Sequence, residues 1–513
     1  MPLAQWLKRA QSLPGTPGAC VLRADASEYL QLARDAAASG ARLLSLWAAD
    51  ESAYAAYLTD GGVLVAQLQN LRAPTGGAPL PGLAELFPVA ARLERALFDL
   101  SGLRSSDPDE RPWLWHGAWR RDWSPLGDAP EPEAAHGSPA TGGAQYPFVR
   151  VEGEGVHEIA VGPVHAGIIE PGHFRFSVVG EKVLRLEEHL GYVHKGIERR
   201  FGQLALLEGH RLAARVSGDS AVAFSWAYAQ ALEGMSGVAV PARALSLRAL
   251  MLELERIANH LGDLGALGND AGFAFGLSQF LRLKEHVLRA TEAAFGQRYL
   301  LDALVPGGIA RDLTLAGEEA LALEMRRLTH ELPRLRIIYD EHAGLRDRFE
   351  GAGVLSPQLA RRLGVLGLAA RASGQALDLR ADLPWPPYDE LAPRKCVRAE
   401  GDVASRVALR FDELAESCRL VSALLERLPS GAHRAELAAP AAGALGIGLI
   451  EGWRGPALIA LHAGQEGRIA RCHPHDPSWQ NWPALEHAII GNIVPDFPLI
   501  NKSFNLSYSG VDL

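Results

Sequence analysis

Six apolar residues, Leu247, Leu250, Leu254, Ile257, Leu261 and Leu264, recur at alternating three- and four-residue steps. That spacing gathers them into one stripe on an α-helix, whereas a strand would scatter them over both faces. A stripe this long has to be covered by other elements, so the chain must build a helical bundle around it. On the same criterion further helices are expected at Phe280 to Phe295, Glu318 to Leu345, Gln358 to Arg371 and Ala404 to Leu428. Strands are expected on either side of them. His157 to Gly162, His173 to Val179 and Lys182 to Leu186 form an antiparallel edge, and Gly446 to Ile450 and Ala457 to His462 form a later β region.

A second feature divides the chain. From Pro125 to Pro147 it reads PLGDAPEPEAAHGSPATGGAQYP, dense in Pro, Gly, Ala and Ser with nothing periodic to bury. The 513 residues therefore split into units 1–124 and 148–513, with 125–147 as the linker. In the first unit Glu28 to Ala38 and Leu83 to Leu100 have helical spacing, while Arg42 to Ala48 and Gly62 to Gln67 have that of strands. The expected fold class is α+β: a small α+β domain, then a mainly α-helical domain with a short antiparallel β edge.

Charge and composition narrow the function. Lys and Arg total 51 against 60 Asp and Glu, a net charge of -9, which lacks the basic excess that phosphate contacts require, so no nucleic acid is expected as a partner. No apolar run approaches the ~18 residues needed to span a bilayer. The opening MPLAQWLKRAQSLPG has no apolar signal core, so the expected location is cytoplasmic, with any membrane role coming through partners. The four cysteines, Cys20, Cys396, Cys418 and Cys472, make no CxxC pair and give no disulfide framework and no zinc or iron–sulfur site within the chain. No dinucleotide-binding fingerprint is present.

Three polar groups stand out. GPVHAGIIEPGHFRF sets His165, Glu170 and His173 in a Gly- and Pro-rich loop between two strands, where backbone and ionisable groups can approach a ligand. His473, His475 and Asp476 in HPHD are expected to be plain surface. Glu253, Glu255 and His260 are expected on a solvated or interface face of their helix. The glycines of GALGIGLIEG miss the phosphate-binding register and are expected in a strand and turn.

The segment GPVHAGIIEPGHFRF, followed by LGYVHKGIERRF, resembles the start of the large subunit of membrane-bound, energy-converting NiFe-hydrogenases, and is similar to the homologous D subunit of respiratory complex I. The resemblance continues through RVSGDSAVAFSWAYAQALE, RALMLELERIANHLGDLG, PGGIARDL, EGWRGP and NWPALEHAIIGNIVPDFPLINKSF. FPVAARLERALFDLSGL, with DPDERPWLW after it, resembles the complex I C subunit, and the fused layout is that of formate-hydrogenlyase-type large subunits.

The departure from that pattern carries the functional expectation. The family holds nickel and iron with two CxxC pairs; here Ser217 and Ser220 stand at the first pair and Ser507 and Gly510 at the second. Serine hydroxyls are hard and weakly acidic and do not replace thiolates at neutral pH, so no metal is expected and the chain is not an active hydrogenase. Complex I D subunits also lack these cysteines, and the resemblance implies a quinone headgroup held there between a loop His and a Tyr. His173 matches that His and Glu170 sits where related hydrogenases keep a proton-passing carboxylate. The Tyr has no match near Gly218, where the chain offers Asp219, a group suited to carrying protons or anchoring a salt bridge. Glu170, His173 and Asp219 are thus the candidate proton and quinone site. The implied partners are an iron–sulfur small subunit like the complex I B subunit, bearing a 4Fe-4S cluster, and antiporter-like membrane subunits. The alternative is a redox-silent scaffold linking a peripheral module to those membrane subunits.

Overall fold

The computed structural model describes residues 3–69, 79–117, 119–127, 146–167 and 169–513, so most of the expected linker, 125–147, lies outside the described residues. Near the N-terminus, β1 (Gln11–Ser12), β2 (Cys20–Ala24), β3 (Arg42–Ala49), β4 (Ser52–Thr59) and β5 (Gly62–Leu68) form one sheet in the order β1-β2-β5-β4-β3. The helix Ala26–Ala38 is started by a capping box: Glu28 N donates to the Asp25 carboxylate at 2.9 Å, and the Glu28 carboxylate accepts from Asp25 N. β4 escaped the periodicity criterion because its six central residues are buried on both faces, which removes the polar alternation of a half-buried strand. The helix expected from Leu83 begins only at Ala90. Pro88 disfavours helical backbone before it, and Leu83 N is instead satisfied by the Glu94 carboxylate at 2.7 Å.

In the larger part of the chain β6 (Val156–Val161), β7 (His173–Val179) and β8 (Lys182–His189) form an antiparallel sheet in sequence order. The stripe lies on the helix Ala242–Asp270, and its six residues are each at most 1% exposed. This helix packs against Ala274–Phe295 and Val403–Glu426, and fully burying each such leucine contributes ~1.5–3 kcal/mol. Two expected helices are each broken in two. Leu315–Glu341 is followed by Ala343–Phe349, which His342 starts by accepting from Leu345 N at 3.1 Å. Pro357–Leu363 and Gly367–Ala372 are separated at Gly364, whose φ of +69° ends the first of them. β9 (Leu304–Val305) and β10 (Gly308–Ile309) make a short antiparallel pair.

The last sheet is β11 (Leu445–Glu451), β12 (Pro456–Ala463) and β13 (Ile469–His475), in that order. The glycines of GALGIGLIEG have a packing role: a Cβ on Gly446 or Gly448 would come within 2.4 or 1.7 Å of the carbonyl oxygens of Ala231 and Ala227. Glycine lets β11 press directly on the helix Ala221–Ser236. The expectation for HPHD is overturned. Asp476, just past the strand, is 1% exposed against Gly510, and His473 and His475 are at most 6% exposed because β13 docks on the N-terminal sheet. There the His473 Nε2 and the Ser45 hydroxyl share a hydrogen bond of 2.7 Å, Trp47 Nε1 donates to His462 Nε2 at 3.2 Å, and the Gln480 amide donates to the carbonyls of Leu43 and Leu44. Among the described residues no helix is long and apolar enough to cross a membrane.

Candidate functional site

The two motifs that are 290 residues apart in sequence meet in space. The Ser217 and Ser507 hydroxyls share a hydrogen bond of 2.9 Å, and Gly510 N donates to the Ser507 Oγ at 2.9 Å. Ser507 N in turn donates to the Ser478 Oγ at 2.9 Å. Gly510 has to be glycine, since a Cβ there would come within 2.8 Å of the Asp476 side chain. Asp219 closes the cluster: its carboxylate accepts from the Ser217 hydroxyl at 2.8 Å and from both terminal nitrogens of Arg454 at 2.7 and 2.6 Å. Arg454 also donates to the Asn505 carbonyl at 2.6 Å and more distantly, at 3.4 Å, to the Ser220 hydroxyl. Burial pushes the Asp219 carboxyl up, but the Arg454 guanidinium outweighs it and holds the group below the usual carboxylate range.

These residues do not fit a nickel–iron centre. Hydroxyl oxygens and a glycine stand at the thiolate positions, and the hydroxyls are already engaged with one another. Among the described residues no group of three or more His, Cys, Asp or Glu is placed to hold a metal ion.

The loop leading into β7 lies against the same cluster. Glu170 is half-buried, and its carboxylate accepts from Ser509 N at 3.2 Å, which ties the loop to the terminal motif. His165 Nε2 is 2.8 Å from the Gly172 carbonyl. His173 is 8% exposed, with Nδ1 3.2 Å from the Gly162 carbonyl and Nε2 without a hydrogen-bond partner. A carbonyl accepts only, so the neutral ring carries its proton on Nδ1 and presents a bare lone pair at Nε2. Burial lowers the pKa of His173 and favours that neutral form. The structure thus groups Glu170 and His173 on one loop and commits Asp219 to an ion pair behind it.

Tyr508 is not among the residues expected from the sequence, where the position implied for a Tyr, near Gly218, has none. Its ring comes within 2.6 Å of where a Cβ on Gly172 would be, so glycine before His173 admits a tyrosine from the terminal motif. Its hydroxyl is buried without a hydrogen-bond partner, and burial raises its pKa. The signal available in the sequence was the Tyr inside NLSYSG.

The expectation for Glu253, Glu255 and His260 is also overturned: all three are at most 7% exposed. Glu253 accepts from Arg380, from the Tyr388 hydroxyl at 2.6 Å and from the Ser417 hydroxyl at 2.7 Å. His260 Nε2 lies 3.0 Å from the Glu413 carboxylate. Glu255 receives Val222 N at 2.7 Å and Ala223 N at 3.3 Å, satisfying the start of the helix Ala221–Ser236. Burial, with Asp219 nearby adding to it, pushes the Glu255 carboxyl up to about 8.

The chain has relatives among known proteins. Residues 270–445 match the family described as respiratory-chain NADH dehydrogenase, 49 Kd subunit. Formate hydrogenlyase subunit 5 of Escherichia coli (strain K12) is 32% identical over 439 residues, covering 84% of this chain and 76% of that protein. The chain belongs to the large-subunit family shared by membrane-bound hydrogenases and complex I. Another member of that large-subunit family, the carbon monoxide-induced hydrogenase of Rhodospirillum rubrum, is 31% identical over 350 residues, covering 68% of this chain and 97% of its own. The C/D subunit of the NADH-quinone oxidoreductase of Bacteroides thetaiotaomicron is 27% identical over 380 residues, covering 70% of each. A component of the membrane-bound sulfane sulfur reductase, an archaeal respiratory membrane complex, shares the fold with a TM-score of 0.66 at 24% identity, over 70% of this chain and 98% of that one. Relatives of this large subunit are thus components of membrane-bound respiratory complexes of the hydrogenase and complex I type.

Proposed function

We propose that this large subunit receives electrons from a 4Fe-4S cluster on a partner small subunit and passes them to a quinone-type acceptor at the Glu170–His173 loop. Antiporter-like membrane subunits would hold the assembly at the membrane. The observation that carries the reading is His173 Nε2, more than nine-tenths buried and unpaired. An unpaired buried polar atom is destabilising unless something bonds to it, and ligand sites are where proteins tolerate the cost. With its proton on Nδ1, neutral His173 accepts at Nε2 and so suits the O–H of a hydroquinone. To donate to a quinone carbonyl the ring must first take up a second proton. Quinone reduction consumes two electrons and two protons, so such an imidazolium supplies one of them as charge builds on the oxygen. Glu170, half-buried at the edge of the loop, is the group suited to exchange protons with water. Asp219, held ionised by Arg454, supplies a fixed negative charge and not a mobile proton.

A second reading, a redox-silent coupling subunit, is favoured by the closed serine, Asp219 and Arg454 cluster at the old thiolate positions. Replacing Glu170 with Gln and His173 with Ala, and measuring quinone-dependent turnover and complex assembly separately, divides the two. Turnover lost with assembly intact supports the acceptor site; turnover unchanged by both substitutions leaves the redox-silent reading.

A further inference from the structure

β7 and β8 set His173 directly opposite His189, so the two imidazoles leave the same face of the sheet. His189 is only 4% exposed, and its Nε2, like that of His173, is buried without a hydrogen-bond partner. Burial pushes the His189 pKa down to about 2, with His116 adding to the effect, so this ring too is neutral. The His116 ring lies 4.5 Å from that of His189, and a hydrocarbon ring, Phe148, neighbours both imidazoles. The Phe148 ring centroid is 5.2 Å from that of His173 and 6.3 Å from that of His189. Phe148 is half-buried whereas both imidazoles are nearly closed off, so its ring covers them on the solvent side.

The segment bearing Phe148 is fastened by contacts around its rim. Tyr146 stacks on His189 at 3.9 Å, and its hydroxyl accepts from Arg95 at 2.6 Å. Val149 N donates to the Glu187 carboxylate at 2.9 Å, and the Arg175 guanidinium lies 4.9 Å from the Phe148 ring. None of these contacts satisfies either imidazole. A planar hydrocarbon ring therefore packs beside both imidazoles and offers a hydrogen bond to neither.

Resting on the acceptor reading above, we infer that Tyr146–Phe148 is a strap seated where the acceptor ring goes, and that His189 is the second imidazole of that seat. The ligand is a planar ring bearing oxygens, of the quinone and hydroquinone class. Its oxygens meet His173 and His189 once Phe148 has swung aside, replacing a ring that bonds to neither. The strap makes apparent affinity depend on the fraction of molecules in which it is open.

The test uses the purified membrane complex containing the full chain, titrated with 2-methyl-1,4-naphthoquinone and with its reduced form. Phe148→Ala removes the competing ring and should tighten binding by about tenfold or more, since the measured affinity is the intrinsic one scaled by the open fraction. Phe148→Leu, which keeps part of the apolar bulk, should give a smaller gain. His189→Ala in the Phe148→Ala background should abolish the gain. If Phe148→Ala leaves the affinity within about twofold while His173→Ala abolishes binding, the strap is refuted and the acceptor site survives. If neither the native complex nor the Phe148→Ala complex binds either form, the strap and the acceptor site fall together.

Discussion

At the former thiolate positions Ser217, Ser507, Gly510, Asp219 and Arg454 bond to one another, whereas on the adjoining loop and sheet the Nε2 atoms of His173 and His189 find no partner. The two regions touch, through Glu170 with Ser509 and through Gly172 with Tyr508. Buried polar groups that satisfy each other report a structural role, while those left open report room for a ligand. The positions without cysteine are therefore not a passive void. One half of the old site was closed by an ion pair and serine hydrogen bonds, and the open hydrogen-bonding capacity lies a few residues away, on β7 and β8.

Breaking the open region should have the largest effect. His173→Ala is expected to lower quinone-dependent turnover by about 100-fold or more, the range for a positioned acid or base, with the complex still assembling on size-exclusion chromatography. Breaking the closed region should instead cost stability. Asp219→Ala leaves the Arg454 guanidinium, 6% exposed, without its carboxylate. The expected loss, to be read by chemical denaturation, is about 2 kcal/mol, below the full range for buried pairs because the Asp219 side chain is 40% exposed. Its pH dependence has a definite sign. The folded-state carboxyl lies below its unfolded value of about 3.9, so the pair's contribution is present above that pH and is lost as pH falls through the lowered native value. The stability difference between Asp219→Ala and the parent should therefore shrink in acid.

Glu255 runs the other way. Its carboxyl is raised to about 8 against about 4.3 unfolded, so its contribution is full below pH ~4.3 and declines as pH rises toward 8. Glu255→Gln, which can still accept from Val222 N, should flatten that decline and raise the thermal midpoint at pH 8 more than at pH 5. Ser217→Ala should be the mildest, removing the hydroxyl bonds to Asp219 and Ser507 at about 1 kcal/mol, with turnover unchanged.

Much of the scaffold was legible from spacing. The stripe from Leu247 to Leu264 gave the central helix, and the strand spacing of His173 to Val179 and Lys182 to Leu186 gave β7 and β8. β4 was not legible, because burial on both faces erases the alternation that reveals a strand. His473 and His475 looked like surface because the sheet that covers them lies more than 400 residues earlier, at Ser45 and Trp47. Glu253 and His260 looked solvated because their partners Arg380 and Glu413 arrive from beyond residue 370. Within the site, Glu170 and His173 stood out as a Gly- and Pro-rich loop. Tyr508 and His189 did not, since one is delivered by a tertiary contact at Gly172 and the other by strand register.

The most direct test compares His173→Ala with Asp219→Asn in the intact membrane complex, measuring quinone-dependent turnover per assembled complex. Turnover abolished by the first and retained by the second is the result predicted if the working site lies on the loop and the closed cluster is structural. Turnover unaffected by His173→Ala would contradict the account.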